Sequence, residues 1–226
     1  MLELFEKYFP NVIAIASEIP QSIKDTLTML FIPGLISAFF GIILGVILTV
    51  TKKEGILPNR FIFGVLDKLV NLFRAIPFVI LISLFSDVSR TLVGTSIGVK
   101  GVLLSLSIGT IPFFARQIES ALAEVDYGLI EASQSMGCSP FEIITRVYLR
   151  ESIPGIVRGT TITLISLVGL TAIAGAIGAG GLGDLAIRYG YNRYMDDVTY
   201  VIVFIILIII TLIQTIGDFI IKKTTH

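Results

Sequence analysis

The stretch TLTMLFIPGLISAFFGIILGVILTVT, residues 26–51, contains no charged side chain. A helix needs about 20 consecutive apolar residues to cross a bilayer, so this stretch predicts a membrane span. The composition of the whole chain agrees, since 54% of its 226 residues are hydrophobic and 15% are charged. A soluble domain carries about 25% charged residues. We therefore predict an all-α integral membrane protein.

The same composition excludes several classes of function. A soluble enzyme, a disordered chain and a disulfide scaffold do not fit it. Seventeen basic and seventeen acidic residues leave no positive excess for nucleic acid. The single cysteine, Cys138, has no partner for a disulfide, and the single histidine is His226. The sequence therefore predicts no catalytic residue and no metal site.

Five spans are predicted, at about residues 26–50, 61–86, 98–115, 157–178 and 198–218. The second is the weakest, because charged residues lie within it, and the third is short. They form a membrane domain over residues 22–218, with a lead-in over 1–21 and a tail over 219–226. Five spans place the termini on opposite sides. Lys and Arg favour cytoplasmic segments, and their distribution predicts an outside N-terminus and a cytoplasmic C-terminus.

The interval between the third and fourth spans, about residues 117–156, has its own helix signals. Ser139, Pro140 and Glu142 match a capping box with proline in the first helical position. Gly137 precedes it, where a left-handed residue would end an earlier helix. The interval predicts two helices that meet at a tight turn. From spacing alone it is equally a docking element or a solvated connector.

A resemblance favours docking. Glu131-Ala132-Ser133, then Gly137, then Ile153-Pro154 resemble the EAA loop of ABC importer permeases. Ser133 stands where the family has a second alanine, and Ile153 where it has leucine. The resemblance implies that this loop is a cytoplasmic coupling helix that docks on a separate ATPase. The residues that it assigns to this contact are Glu131, Ala132, Ser133, Met136, Gly137, Cys138, Ser139 and Pro140.

Four further motifs resemble the methionine ABC importer permeases in particular. They are FRAIPF at 73–78, VGTSIG at 93–98, IPFFAR at 111–116 and GAIGAGGLG at 175–183. The resemblance implies a type-1 importer transmembrane domain in the bacterial inner membrane. It also implies a permease homodimer, two ABC ATPase subunits that bind ATP and Mg, and an extracytoplasmic methionine-binding lipoprotein.

These motifs imply uptake of L-methionine, and they do not decide whether D-methionine is also a substrate. The chain is then a transport subunit and no enzyme, and it binds no cofactor, since it contains no G-x-x-x-x-G-K-[ST] loop. Gly178, Gly180 and Gly183 match a dinucleotide fingerprint, but they follow a membrane helix instead of a strand. Three alternatives remain: a permease for glycine betaine, an ATP-independent channel or secondary transporter, and a structural subunit without a path.

Two polar sets are candidates for the path or its gate. Asp67, Asn71 and Arg74 share one helical face. They predict either an ion-pair network near the cytoplasmic mouth or an interfacial turn with snorkelling side chains. Thr160, Thr163 and Ser166 recur at every third residue of the fourth span. They either line a path for a zwitterionic solute or bond back to their own helix.

Overall fold

A computed structural model describes residues 8–224, and every regular element in that range is helical. The helices are α1 (Pro10–Ala14), α2 (Ile19–Thr51), α3 (Arg60–Ala75), α4 (Phe78–Leu84), α5 (Ser86–Val93), α6 (Gly98–Ala123), α7 (Tyr127–Ser135), α8 (Pro140–Glu142), α9 (Leu149–Glu151), α10 (Ile153–Ala174), α11 (Gly181–Leu185) and α12 (Asp196–Thr224). Three π-helical stretches join some of them, at Ile143–Tyr148, Gly175–Ala179 and Ala186–Tyr191. The prediction of an all-α membrane fold is confirmed.

Four helices within residues 8–224 are long and apolar enough to cross a membrane. They are α2, α6, α10 together with the π-helical turn after it, and α12. The predicted ends shift in the structure. The first span begins at Ile19, inside the predicted lead-in, and α6 continues to Ala123 instead of ending near residue 115. Residues 1–7 of the lead-in and 225–226 of the tail lie outside the described range.

The second predicted span, residues 61–86, is not one continuous helix. Ile76 has an extended ψ of 123°, and α3 ends before it. Proline disfavours a helical conformation in the residue before it and has no N–H of its own, so Pro77 accounts for the break. The segment folds as α3, α4 and α5. The prediction of five continuous spans is therefore not confirmed.

The chain divides into two compact units. The first contains residues up to Gly34, Pro77–Ser107 and Leu164–Ile213. One apolar cluster in this unit includes Met29, Leu106 and Leu167, all fully buried. A second joins Val12 of α1 to apolar residues of α11 and α12. A hydrogen bond also links α1 to α12, since Asn11 Nδ2 donates to Asp197 Oδ1 at 2.9 Å.

The second unit contains Leu35–Ile76, Ile108–Thr163 and residues from Gln214 onward. Here α2 and α6 pack with little space between their backbones. A Cβ atom on Gly41 would lie 2.6 Å from Phe114 Cδ1, and one on Gly45 would lie 2.6 Å from Ile118 Cβ. Two glycines four residues apart permit this approach, as in other closely packed membrane helices. This unit holds the loop that the sequence assigns to coupling.

Candidate coupling site

The predicted capping box is present at the start of α8. Ser139 N donates to Glu142 Oε2 at 3.0 Å, and Glu142 N donates to Ser139 Oγ at 3.4 Å. Pro140 occupies the first helical position, where its missing N–H costs no hydrogen bond. The hydrogen bonds from the Ser139 backbone and hydroxyl hold the pKa of the Glu142 carboxyl below its usual value. The second helix of the loop therefore begins at the residue that the sequence predicted.

The turn before α8 depends on Gly137. This residue has φ +80°, in the left-handed region that favours glycine. Gly137 N donates to Gln134 O at 3.0 Å and Cys138 N donates to Ser133 O at 3.1 Å, so the last carbonyls of α7 are satisfied. No other atom lies within 4 Å of a Cβ built on Gly137. Glycine is therefore favoured at position 137 by the backbone conformation and not by crowding within this chain. The space next to its Cα is open.

An apolar cluster holds the loop against the end of α6. We call it the loop core, and its members are Phe114, Ile118, Leu122, Ile130, Ile143 and Tyr148. Ser152 Oγ donates to Ala121 O at 3.1 Å beside this cluster. Gly155 packs so closely that a Cβ there would lie 2.9 Å from Ala121 Cβ. The loop is thus fixed to α6 by contacts from both of its ends.

The residues assigned to coupling divide into exposed and inward-facing groups. The exposed members are Glu131, Ala132, Met136, Gly137, Ser139 and Pro140. Ser133 is buried, and its hydroxyl donates to Leu129 O at 2.8 Å. Cys138 is half-buried and packs against the loop core. Two of the eight assigned side chains therefore stabilise the loop itself.

Sequence reasoning missed one exposed residue of this face, Phe141. Its side chain is 73% exposed, close to the 75% of Met136 on the other side of the turn. An exposed apolar patch that polar residues surround marks a surface that binds another protein or lipid. The signal was present in the sequence, because Phe141 lies between Pro140 and Glu142 of the capping box. Met136 and Phe141 give the turn an apolar tip.

Two of the three gate candidates on α3, Asp67 and Asn71, belong to an ion network whose other members were not among the predicted site residues. The Arg116 guanidinium on α6 binds Asp67 Oδ1 in a short ion pair, and its Nη2 donates to Asn71 Oδ1 at 3.0 Å. Arg116 Nη1 also contacts Glu119 Oε2 at 2.5 Å. Glu119 in turn pairs with Lys52 at the end of α2, at 2.7 Å. Four charges of alternating sign therefore join three helices.

Arg74 is not part of this network. It is exposed near the end of α3, and no ion pair places it with Asp67 in the described part of the chain. The signal for the true partner was Arg116 in the IPFFAR motif, 49 residues from Asp67. Contacts over that separation depend on helix packing, which local spacing does not predict.

The three hydroxyl residues of α10 lie in different environments. Thr160 Oγ1 donates to Ile156 O at 2.8 Å and Thr163 Oγ1 donates to Gly159 O at 2.7 Å. Thr163 is only 3% exposed, whereas Ser166 is exposed. Both threonines thus bond back to their own helix, which is the second of the two interpretations made from the sequence. Ser166 is the exposed member of the set.

The glycine-rich element after α10 is closely packed and follows a helix. Gly178, Gly180 and Gly181 all have positive φ. A Cβ on Gly181 would lie 2.7 Å from Thr26 Oγ1, and Leu182 N donates to that same oxygen at 2.8 Å. Within residues 8–224 no strand precedes this element, so the βαβ setting of a dinucleotide site is not found there. The glycines allow the chain to turn sharply after α10 and to pack closely against α2.

Comparison with known sequences identifies relatives over most of the chain. A probable D-methionine transport system permease protein MetI of Vibrio cholerae is 46% identical over 202 residues, which cover 89% of this chain and 90% of the relative. The methionine import system permease protein MetP of Bacillus subtilis is 47% identical over 217 residues, covering 96% and 97%.

Solved structures agree with these relatives. The chain superposes on a structure of inward facing conformations of the MetNI methionine ABC transporter with a TM-score of 0.92, at 40% identity and over 94% of this chain and 99% of that one. An amino acid ABC transporter shares the fold alone, at 18% identity and a TM-score of 0.78. The profile of the family described as "Binding-protein-dependent transport system inner membrane component" matches residues 41–225. The chain therefore belongs to this family of transport-system inner membrane components.

Proposed function

We propose that this chain is the permease subunit of an ATP-driven ABC importer and forms the membrane pathway for methionine. The observation that carries the proposal is the 47% identity to a methionine import permease over 96% of the chain. The GAIGAGGLG and FRAIPF motifs lie in this matched region and support the same substrate. The permease itself carries out no bond chemistry. ATP and Mg bind to the separate ATPase.

The exposed face of the coupling loop is where the ATPase docks in this proposal. Ala132 and Gly137 are small, so the partner's backbone approaches closely, and Glu131 accepts hydrogen bonds at the rim. Met136 and Phe141 enter an apolar groove of the partner. The loop core supports this role, because it fixes the exposed face to α6 and leaves it little freedom to move alone.

The working assembly in this proposal is a permease homodimer with two ATPase subunits and one extracytoplasmic methionine-binding lipoprotein, embedded in the lipid of the bacterial inner membrane. The N-terminus lies outside and the C-terminus lies in the cytoplasm. The charges of α12 support this orientation, since its first turn holds Asp196 and Asp197 and its last turn holds Lys222 and Lys223.

The pathway is proposed to contact Ser166 and the half-buried Thr160, with Asp67, Asn71 and Arg74 near its cytoplasmic end. Ser166 has the strongest support because its side chain is exposed. We expect Ser166→Ala to slow methionine uptake by several-fold, about the loss of one hydrogen bond. Unchanged uptake would remove Ser166 from the path.

Uptake into vesicles that contain the permease, its ATPase and its receptor tests the function. We expect labelled L-methionine to accumulate only with ATP, and unlabelled methionine to compete while glycine betaine does not. Competition by glycine betaine alone would assign the other substrate. Accumulation driven by an ion gradient without ATP would identify a secondary transporter and overturn the proposal.

Docking is tested by a matched pair of substitutions on α7. Ala132→Arg places a long cation on the exposed face, and we expect copurification with the ATPase to fall at least about tenfold, as for a residue at the centre of an interface. Gln134→Arg adds the same side chain at an exposed position two residues away. Equal binding of the ATPase by both variants would contradict the proposed docking face.

A further inference from the structure

The loop core makes the coupling loop and the end of α6 move as one body. Phe114, Ile118 and Leu122 of α6 pack against Ile130 of α7 and Tyr148 of the π-helical stretch, and all are buried. Close-packed interiors transmit displacement and do not absorb it. A force applied to the exposed face of the loop must therefore reach this part of α6.

Arg116 lies on this body and points toward α3. Its side chain is 18% exposed, and its guanidinium contacts acceptors on two helices: Glu119 on α6, and Asp67 and Asn71 on α3. Glu119 is 9% exposed and has a second partner in Lys52. Arginine suits this position, since its planar fork holds two acceptors at fixed angles at the same time.

An apolar crevice lies beside the ion network. It has a volume of about 230 Å³ and lies one turn from Arg116, and residues of α2, α3 and α6 line it: Leu44, Leu66, Leu69, Val70, Phe73, Ile108, Ile111 and Pro112. Apolar side chains in lipid gain little from one another relative to lipid tails, so such a contact slides or separates at small cost. A charged, hydrogen-bonded contact in that setting resists separation.

We propose that Arg116 is a positioning residue that transmits movement of the coupling loop to α3. When the ATPase displaces the loop, α6 moves with it, and the Arg116 contact with Asp67 and Asn71 draws α3 along. Without that contact α6 would move past α3 across the apolar crevice. This inference rests on the proposed function, because it assumes an ATPase that acts on the loop.

The test compares methionine uptake with ATP hydrolysis in the same vesicles. The double variant Asp67→Ala/Asn71→Ala removes both side-chain acceptors on α3 while Arg116 keeps Glu119. We expect ATP hydrolysis within about twofold of the unmodified complex and methionine transported per ATP lowered about tenfold, in the usual range of coupling between sites. The single variant Asp67→Glu keeps a carboxylate at this position. We expect it to transport most of the methionine per ATP that the unmodified complex transports.

Lys68→Ala is the matched control, because Lys68 is the next residue, exposed and charged. It should leave uptake per ATP unchanged. An unchanged ratio in the double variant, or a parallel loss of hydrolysis and uptake, would overturn the inference. If the double variant does not reach the membrane, Asp67→Ala alone is judged by the same ratio. Failure of the unmodified complex to transport methionine would instead refute the proposed function.

Discussion

Two proline-containing regions of this chain behave in opposite ways. α6 passes through Pro112 and remains one helix over Gly98–Ala123, whereas the helix that begins at Arg60 stops before Pro77. Half of the most apolar stretch of α6 is buried. In α3 and α4 the buried residues are Val70 and Leu81. Pro112 therefore lies in a closely packed helix, whereas few residues around Pro77 are buried.

The largest expected effect comes from disturbing that packing. Gly45→Ala would place a Cβ 2.6 Å from Ile118 Cβ and 2.9 Å from Ala115 O, so α2 and α6 must separate. We expect a loss of about 1–3 kcal/mol in stability, as for other overpacked sites. Thermal unfolding of the detergent-solubilised protein measures it.

Gly64→Ala on α3 is the control for that change. No atom lies within 4 Å of a Cβ at this position, so the same substitution should raise stability by about 0.5–1 kcal/mol through lower chain entropy. Equal destabilisation by both variants would mean that α3 is as closely packed as α6. The contrast between the two regions would then be wrong.

Substitution of Pro77 should remove the break between α3 and α4. Pro77→Ala removes the steric restriction on Ile76 and supplies an N–H, so we expect α3 and α4 to join. Hydrogen exchange at Phe78 and Val79 should slow by about tenfold, which corresponds to about 1.4 kcal/mol for a new hydrogen bond. Exchange that stays as fast as before would show that side-chain packing, and not proline, breaks the helix.

Pro112→Ala is the comparison for that experiment. α6 is already continuous there, so exchange in the neighbouring turns should stay within about twofold. A large gain in protection would show that Pro112 weakens α6 more than its helical geometry indicates.

The smallest expected effect is at a third proline, Pro140, which begins α8. There the helix is stabilised by the local capping box of Ser139 and Glu142. The Glu142 pKa is lower in the folded loop than the usual value of about 4.5. The contribution of its carboxylate to the cap is therefore complete above that value and is lost as the pH falls through the depressed pKa. We expect protection of the Ser139 amide against exchange to fall at acidic pH. Glu142→Gln does not titrate, so its protection should not change in that range.

The features predicted well from sequence are those with local causes. Ser139, Pro140 and Glu142 lie within one turn, and their hydrogen bonds need no distant residue. Gly137 likewise acts on the helix directly before it. Spans such as 198–218 were evident because a long uncharged run has few alternatives to a membrane helix. Even there, α12 extends beyond both predicted ends.

The features that were missed depend on how helices pack. Asp67 binds Arg116, and Arg74 on its own helix does not join them. Thr163 shares a periodic pattern with Ser166 but is buried, while Ser166 is exposed. Spacing places residues on one side of a helix and does not say what lies opposite. The break at Pro77 is different, because its cause is local: proline restricts the residue before it, and the prediction of a span over 61–86 did not take this into account.

The contact between Asn11 and Asp197 has a consequence for the order of folding during synthesis. These residues are 186 positions apart, and the apolar cluster around Val12 needs α11 and α12. Contacts of such long range form late, because the ribosome must first release the segment that completes them. The loop core lies within residues 114–148 and packs against α2, all of which emerge much earlier. We expect the coupling loop to be folded while the chain is still growing, and α1 to wait for the last helix.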